Sequence, residues 1–585
     1  MSTGRSCVTR TTPTSGQSLL RSTSCAGSDI EPPLAVGVRQ TDGSSYSSPP
    51  RGPLQAPRKS EPPAWTCEGW RVNQDPGVPP RIDAPGSGRA SLSGVARGGA
   101  LNAVGAVVSA VLGFAVTLCI ARGFSREAAG VFFNSTSAFL VLVAVGQLGT
   151  NVGLVYFVSR SRVREGPDMF SSYVRAAGGP VLVWNVVLGI AIFAAAPALG
   201  ELIGSDRSDD VASALRVLAP FVLAAAVENL AVSASRGLGT MRPTAVLTLV
   251  ARPAIQVVLV LGAVAVAGPS AAVGAWATGY VLCALAAVVW VRRLGYARPG
   301  MHPPQRVRVG RDFWAFTAPR ALVTVAQIAM QRLDIVLVGA LAGAAPAAVY
   351  AATTRFLVAG QLGTQSISLA AQPGFAHFLA AGDRSRAEDL YRMSTAWLVL
   401  VAWPLYLVLA IFSSTILRIF GPGYVEGAPV LVILAAALMF GAVVGVVEVV
   451  LVMAGHSGWT LVNSVSALSV MVLLDVWLIP RHGAFGASIG WGCAIVVRNA
   501  LALLQVRRTL GLHPFGRASA LTVAITLGGV GVPLLMCRVL LGPGLASLAV
   551  GLLVAGVCHL SATYVLRRQL HVPALLASLR RRRSA

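Results

Sequence analysis

The chain has 585 residues, of which 55% are hydrophobic and only 12% are charged, and its mean hydropathy is +0.68. Soluble domains carry about 25% charged residues, so this composition excludes a string of ordinary soluble domains. The only lysine is Lys59, which leaves none in the apolar part of the chain for a P-loop or a Schiff base. The other basic residues are arginines, and the formal net charge is +24. This arginine-rich, lysine-poor composition is typical of a GC-rich bacterial genome.

The eight cysteines and seven histidines show no metal-binding pattern. No CxxC motif occurs, the histidines are scattered singly, and five of the cysteines lie in apolar runs. Such cysteines are usually small buried hydrophobic residues. We therefore expect no metal site, no cofactor and no catalytic residue.

Residues 1–98 are rich in Pro, Ser, Gly and Arg and lack apolar periodicity. A segment of this kind cannot bury enough apolar surface to offset its ordering entropy, which predicts a disordered cytoplasmic tail. It contains no apolar run long enough for a secretory signal peptide.

Beyond this tail the chain is almost continuously compatible with a membrane. A helix needs about 20 apolar residues to span the hydrocarbon core, and spans satisfy their backbone polar groups as helices. The sequence predicts an all-α polytopic membrane protein with about fourteen transmembrane spans: 99–121, 131–154, 179–203, 211–235, 244–268, 271–291, 321–342, 347–371, 393–419, 428–454, 458–479, 486–505, 518–541 and 544–566.

A repeated motif suggests that the first twelve spans form two halves. The letters GQLGT occur at 146–150 in the second span and at 360–364 in the eighth. An even number of spans per half makes parallel repeats, as in many secondary transporters. We predict an N-lobe, a basic cytoplasmic linker, a C-lobe, two extra helices and a basic cytoplasmic tail at 99–291, 292–320, 321–505, 518–566 and 567–585.

The arginines between spans predict the orientation. Loops on one side, with the C-terminus, hold 25 arginines, and the loops on the other side hold 6. Because cytoplasmic loops carry the excess of basic residues, both termini are predicted to lie in the cytoplasm. The expected location is a bacterial plasma membrane.

Charged residues inside the spans are the candidate functional residues, because charge in hydrocarbon is costly. Glu228 and Arg252 each lie 12 residues from a predicted turn near Thr240, and Asp334 and Arg355 lie at similar depths across the next such turn. Each acid–base pair could lock two helices together or take part in transport. Two further residues, Asp475 and Arg216, lie near span ends and are expected to extend toward the interface.

The set as a whole carries an excess of positive charge. Arg332 points away from Asp334, and Glu448 and Arg498 occupy spans 10 and 12. Arginine forks match phosphate oxygens bidentately, so we predict a headgroup site made of Arg252, Arg332, Arg355 and Arg498. The acids Glu228, Asp334 and Glu448 would serve in ion coupling or structural pairing.

Several segments together resemble the polysaccharide/O-antigen flippases of the multidrug/oligosaccharidyl-lipid/polysaccharide exporter superfamily. The similarity rests on the run from Asp334 to Gly339 followed by Tyr350 and Arg355, on Pro373 ending the eighth helix, and on two segments: FGPGY at 420–424 and LIP at 478–480 with Gly483 and Gly486. Asp475 and the long tail depart from the family pattern.

The resemblance implies two six-helix lobes around a central cavity, with the last two helices packed outside. It also implies movement of a polyprenyl-diphosphate-linked oligosaccharide from the cytoplasmic to the outer leaflet by alternating access, without enzymatic chemistry. The expected partners are this lipid-linked sugar, the bilayer and polysaccharide polymerases or glycosyltransferases. We expect a monomer and no nucleic-acid partner.

Three alternatives stay open from the sequence. A lipid II-type flippase and a drug/cation antiporter of the same superfamily share the predicted architecture. A membrane-embedded glycosyltransferase, polymerase or ligase is disfavoured, because such enzymes need a large outer loop or a catalytic carboxylate motif.

Overall fold

A computed structural model describes residues 88–164, 168–266, 268–294 and 306–567. Within these ranges the chain is helical and has no β-strand, which confirms the all-α class. Eleven helical stretches there are long and apolar enough to cross a membrane. Two of them, Met169–Leu218 and Gly458–Leu510, are long enough to extend over more than one predicted span. The count of fourteen is therefore compatible with the structure.

The α-helices of the described ranges are α1 Gly88–Gly123, α2 Arg126–Gly146, α3 Thr150–Arg164, α4 Asp168–Gly204, α5 Ser208–Leu218, α6 Phe221–Gly237, α7 Arg252–Val266, α8 Pro269–Arg293, α9 Arg306–Ala342, α10 Ala344–Arg355, α11 Leu357–Ala380, α12 Arg384–Ile411, α13 Ser413–Leu417, α14 Ala428–Val444, α15 Val447–Met453, α16 Ser457–Leu510, α17 Arg517–Thr526, α18 Val532–Leu541 and α19 Leu545–Val565. Short 3₁₀ segments cover Ser205–Arg207, Arg418–Phe420 and Pro422–Gly427, and π-helical segments cover Thr244–Ala251 and Leu527–Gly531.

Glycines with positive φ make the sharp turns between predicted spans. Gly343 (φ 96°) separates α9 from α10, and Gly483 (φ 53°) breaks the long α16 between predicted spans 11 and 12. Only glycine adopts such angles without strain. The expectation that Pro373 ends a helix is wrong, because α11 continues through it to Ala380. The break in this part of the chain lies at Phe356 instead.

Two domain boundaries differ from those that the sequence indicates. Helix α1 begins at Gly88, inside the predicted tail. The second part of the predicted linker, residues 306–320, forms the first turns of α9. The rest of the tail, the linker residues 295–305 and the C-terminal residues 568–585 lie outside the described ranges.

Helix α9 packs against both halves of the chain. Its first part contacts α3 and α4, where Phe316 stacks on Tyr156 with ring centroids 4.3 Å apart and Trp314 donates from Nε1 to the Ala176 carbonyl oxygen at 3.2 Å. Helix α9 also packs on α2, α10 and α16. Helices α17 and α18 pack on α12, and α19 packs on both of them, so the three helices stand beside the C-lobe as the resemblance implies.

Candidate functional site

A cavity of about 210 Å³ lies between the N-lobe helices α1, α2, α7 and α8 and the C-lobe helices α9 and α10. Three of the four predicted headgroup arginines line it: Arg252, Arg332 and Arg355. Gln256 and Tyr280 are among the other lining residues. The structure therefore brings cations from both lobes to one polar cavity.

On the N-lobe side, Arg252 is fully engaged by its own lobe. Its Nη1 lies 3.2 and 3.1 Å from the two carboxylate oxygens of Glu228, and Thr248 donates its hydroxyl to Glu228 at 2.9 Å. The Arg252 guanidinium also lies 4.6 Å from the ring centroid of Tyr280. The Glu228 side chain is only 2% exposed. These contacts make the predicted Glu228–Arg252 ion pair a buried, hydrogen-bonded unit.

A local irregularity sets the direction of Arg252. The segment Thr244–Ala251 is π-helical, and the Arg252 amide donates to the carbonyl of Leu247, five residues back. Pro253 follows directly; it has no amide to donate and its ring crowds the carbonyl four residues before it. The wider turn rotates the residues around Arg252 relative to a regular α-helix. Such π-bulges often occur at functional sites.

On the C-lobe side the predicted Asp334–Arg355 ion pair is absent from the described residues. Asp334 is buried and accepts a 2.7 Å hydrogen bond from the Tyr350 hydroxyl and one of 2.8 Å from the Ile335 amide. Tyr350 and Arg355 are five residues apart, roughly 140° around a helix. Asp334 and Arg355 therefore lie at similar depth, but Arg355 is on a different face of α10 from the tyrosine that binds Asp334.

Arg332 and Arg355 consequently reach the cavity without an acidic partner among the described residues. Neither guanidinium makes an ion pair within that part of the chain, and the Nε of Arg355 is buried without a hydrogen-bond partner. The two cations interact electrostatically with each other and with Asp334. An anion in the cavity would relieve this repulsion.

Asp475 is the acidic residue that the sequence interpretation placed wrongly. It was expected to extend toward the membrane interface, but it is 0% exposed. Neither carboxylate oxygen has a hydrogen-bond partner in the described structure. It interacts electrostatically with Asp334 and Tyr350, and a Cβ atom at Gly490 would overlap its Oδ1. The departure from the family pattern at this position was the available clue to its unusual environment.

Arg498, the fourth predicted headgroup arginine, is not among the residues that line this cavity. Its Nε lies 3.2 Å from Glu448 Oε1, and both side chains are partly exposed, at 34% and 41%. The two residues instead join α15 and α16. Within the described ranges, no group of three or more His, Cys, Asp or Glu side chains is arranged to hold a metal ion.

Several contacts join the lobes near the α1–α2 and α9–α10 turns. Arg126 forms a 3.2 Å ion pair with Glu426, and Arg122 donates to the Ile419 carbonyl oxygen at 2.7 Å. The Ala344 amide donates to Asp206 at 3.1 Å. A Cβ atom at Gly130 would overlap the Ala344 backbone, so α2 and α10 touch. This side of the cavity is closed.

Two family models match the sequence. The model described as "Polysaccharide biosynthesis protein" matches residues 95–379, and the model described as "MatE" matches residues 319–477. The matches overlap across α9, α10 and α11, and together they cover both lobes around the arginine cavity. A comparison with curated protein sequences finds no match.

The fold is similar to solved transporter structures. A lipid II flippase MurJ in an inward closed conformation has 13% identity and a TM-score of 0.65, and the alignment covers 80% of this chain and 99% of that one. An inward-facing multidrug-resistance transporter of the MATE family has 15% identity and a TM-score of 0.55, with 69% and 95% covered. A transporter of the MOP superfamily from Pyrococcus furiosus, described as having a binding pocket of reversed polarity, has 16% identity and a TM-score of 0.50, with 72% and 96% covered. At these identities the similarity establishes the fold.

Proposed function

We propose that this multi-pass membrane protein is a member of the multidrug/oligosaccharidyl-lipid/polysaccharide exporter superfamily and moves a lipid-linked oligosaccharide from one leaflet to the other. The proposed cargo is a polyprenyl-diphosphate-linked sugar carried from the cytoplasmic to the outer leaflet of a bacterial plasma membrane. The observation that carries the proposal is the cavity between the lobes, where Arg332 and Arg355 have no acidic partner in the part of the chain that the structure describes.

The unpaired arginines supply what a diphosphate headgroup requires. Guanidinium forks bind phosphate oxygens bidentately and stay charged under all physiological conditions. Arg252, already paired with Glu228, would hold the headgroup on the N-lobe side without adding net charge. The polyprenyl chain would remain in lipid, where its apolar surface needs no protein pocket. Transport of this kind makes and breaks no covalent bond.

Movement of the lobes is needed to load and release such a cargo. The cavity of about 210 Å³ lies below the range of about 300–1,000 Å³ usual for small-molecule sites. The contacts of Arg122, Arg126 and Asp206 with the C-lobe close one side. Loops on that side carry the few arginines that the sequence assigns to the outer face. We infer that this is a conformation closed to the outside.

The buried acids of the C-lobe provide a place for the coupling ion. Asp334 and Asp475 interact with each other and neither has a basic partner in an ion pair among the described residues. Two carboxylates at close quarters in a low-dielectric site favour binding of a proton or a cation. We propose that loading of this pair changes the packing of α9 against α16, and so biases the lobes.

The orientation can be tested by labelling single cysteines in a cysteine-free protein. A cysteine at position 208 should react with a membrane-impermeant reagent added outside intact cells, and one at position 308 should react only after permeabilisation. The reverse pattern would overturn the proposed topology and the direction of transport with it.

The function is tested by removing the two unpaired cations. In proteoliposomes loaded with a fluorescent polyprenyl-diphosphate sugar, we expect Arg332→Gln with Arg355→Gln to lower the flipping rate at least a hundredfold. The control is Arg498→Gln, which removes one positive charge at a position that does not line the cavity and should flip at a rate close to that of the unaltered protein. Equal rates for all three proteins would contradict the proposed site.

A second arm of the same assay identifies the class of cargo. Lipid II, a diphosphate-linked sugar with a different saccharide, should be moved more slowly than a polysaccharide precursor. Transport of monovalent organic cations without transport of either lipid would instead identify a drug antiporter, and would contradict the proposed function.

A further inference from the structure

A second cavity lies in the N-lobe, separate from the arginine cavity. Its volume is about 380 Å³, and it is formed by α4, α6 and α8. Helix α6 packs against both α4 and α8 and forms the floor of the cavity. The walls are almost entirely apolar; Leu182, Leu230 and Val288 are among the residues that line them. This is a crevice of the size of a small-molecule site.

The polar groups of this crevice are confined to one end. Arg175, in the second turn of α4, and Arg292, in the last turn of α8, both line it. None of the described residues that line the crevice is acidic. Arg175 is exposed, and its guanidinium donates to the carbonyl and hydroxyl oxygens of Ser171, one turn earlier in α4. The crevice therefore combines an apolar length with a cationic end.

The cationic end lies on the side that the sequence assigns to the cytoplasm. Arg175 lies near the end of the loop between predicted spans 2 and 3, and Arg292 opens the loop between spans 6 and 7; these are two of the arginine-rich loops. The cytoplasmic leaflet carries anionic lipids, and basic pockets between transmembrane helices on this side bind their headgroups. A zwitterionic headgroup would leave the two guanidinium charges without net compensation.

We propose that this crevice holds one anionic phospholipid of the bilayer. Its phosphate would lie between Arg175 and Arg292, and one acyl chain would lie along Leu182, Leu230 and Val288. This site is distinct from the cavity that takes the cargo, and it does not depend on the identity of the cargo. It requires only that the basic end face the cytoplasmic leaflet.

Two adjacent glycines make a matched test of the apolar part. Gly178 lines the crevice, and a Cβ atom there would meet nothing within 4 Å. Gly179 also has open space at its Cβ but does not line the crevice. A Cβ atom fits at either position without a clash, and leucine raises the helix propensity of α4 equally at both. Gly178→Leu fills the crevice, and Gly179→Leu is its control.

The charge is tested in the same way. Arg175→Gln with Arg292→Gln removes two positive charges from the crevice. Arg242→Gln with Arg507→Gln removes two positive charges from exposed positions on the same side of the protein. Since each arginine near an anionic lipid contributes about a fivefold change in affinity, the first pair should weaken binding about 25-fold.

The experiment measures lipid adducts on the full-length, delipidated protein by native mass spectrometry. The probes are phosphatidylglycerol and phosphatidylcholine with identical acyl chains. We expect the unaltered protein, Gly179→Leu and the Arg242/Arg507 double variant to retain one phosphatidylglycerol in preference to phosphatidylcholine. The Arg175/Arg292 variant should lose that preference, and Gly178→Leu should lose occupancy by both lipids.

Three results would overturn the proposal. The first is an unchanged preference after removal of Arg175 and Arg292. The second is equal occupancy in Gly178→Leu and Gly179→Leu. The third is displacement of phosphatidylglycerol by polyprenyl phosphate at a tenfold lower concentration, which would assign the crevice to a carrier lipid. Flipping by the Arg175/Arg292 variant at the unaltered rate would leave the proposed function intact, so the two proposals can fail separately.

Discussion

The two lobes differ in the partners that they provide for a buried carboxylate. In the N-lobe, Glu228 has a complete set of partners: Arg252 and Thr248 bind it, and Arg252 also lies against Tyr280. In the C-lobe, Asp334 is bound by the neutral Tyr350, and Asp475 has no hydrogen-bond partner among the described residues. The N-lobe therefore holds a structural ion pair, whereas the C-lobe acids need a partner that their own lobe does not provide, such as a proton or a cation.

The physical basis of this comparison is the cost of burying charge. A buried ion pair with good geometry roughly compensates its desolvation, whereas a lone buried charge does not. The N-lobe pair is self-sufficient within its own helices. The C-lobe acids and the cavity arginines Arg332 and Arg355 are not, so an added proton, cation or anionic headgroup changes their energy most. We expect ligand-dependent behaviour on the C-lobe side of the cavity.

The largest effect on stability is expected from breaking the N-lobe pair. Arg252→Gln leaves Glu228 buried and unpaired, which typically costs about 3–5 kcal/mol. The double variant Glu228→Gln with Arg252→Gln should recover most of this loss, because two neutral amides can bond each other. Thermal unfolding in detergent, with the yield of monodisperse protein, measures both. A double variant as unstable as Arg252→Gln would show that the pair is not self-sufficient.

A smaller loss of stability is expected from Tyr350→Phe, which removes the hydroxyl that donates a hydrogen bond to Asp334. Hydrogen bonds to charged groups contribute about 1.5–3 kcal/mol, and the phenyl ring preserves the packing. Tyr406→Phe is the control, since Tyr406 is equally buried and no hydrogen bond of its hydroxyl is recorded in the part of the chain that the structure describes. If both variants unfold at the same temperature, Asp334 has another partner and the contrast between the lobes weakens.

Asp475→Asn should change stability in the opposite direction. Removing a carboxylate that lacks partners relieves a desolvation penalty of about 1–3 kcal/mol, and asparagine keeps its shape beside Gly490. If the C-lobe acids load the coupling ion, the same variant should flip its cargo at a rate that no longer depends on a pH or sodium gradient. A stabilised variant that keeps its gradient dependence would remove Asp475 from ion coupling.

These results show which parts of the molecule the sequence could predict. Hydrophobic runs identified the spans, and glycines at Gly343 and Gly483 occupy the turns between them. Depth, counted from such a turn, correctly matched Glu228 with Arg252. The same count failed for Asp334 and Arg355, because depth says nothing about direction around the helix axis. The faces of α9 and α10 that meet are set by packing between lobes.

Asp475 and Arg498 also show that position along a span does not predict the partners of a side chain. Both were interpreted from their position along a span, yet Asp475 is buried beside Gly490 and Arg498 pairs with Glu448 away from the cavity. The π-helical segment before Arg252 also changes the direction of a side chain without changing its depth. Composition and periodicity predict where a charge lies along a helix, and tertiary packing decides what it faces.

The ion pair Arg126–Glu426 differs from the buried Glu228–Arg252 pair in two ways, because it is exposed and it joins the two lobes. Its side chains are 38% and 71% exposed, so Glu426→Gln should change the free energy of unfolding by less than about 1 kcal/mol. Unlike Glu228–Arg252, however, this pair exists only while the two lobes are together on that side. Even a small loss of stabilisation therefore shifts the equilibrium between closed and open forms, by up to about fivefold.

A cysteine at position 137, which lines the arginine cavity, reports this shift through its rate of reaction with an impermeant reagent added outside. We expect Glu426→Gln to raise that rate two- to fivefold with no change in unfolding temperature. Glu201→Gln, an exposed acid with no recorded ion pair in the described structure, is the control and should leave the rate unchanged. An unaltered rate in Glu426→Gln would mean that Arg122, Asp206 and the contact at Gly130 hold this side closed without the ion pair.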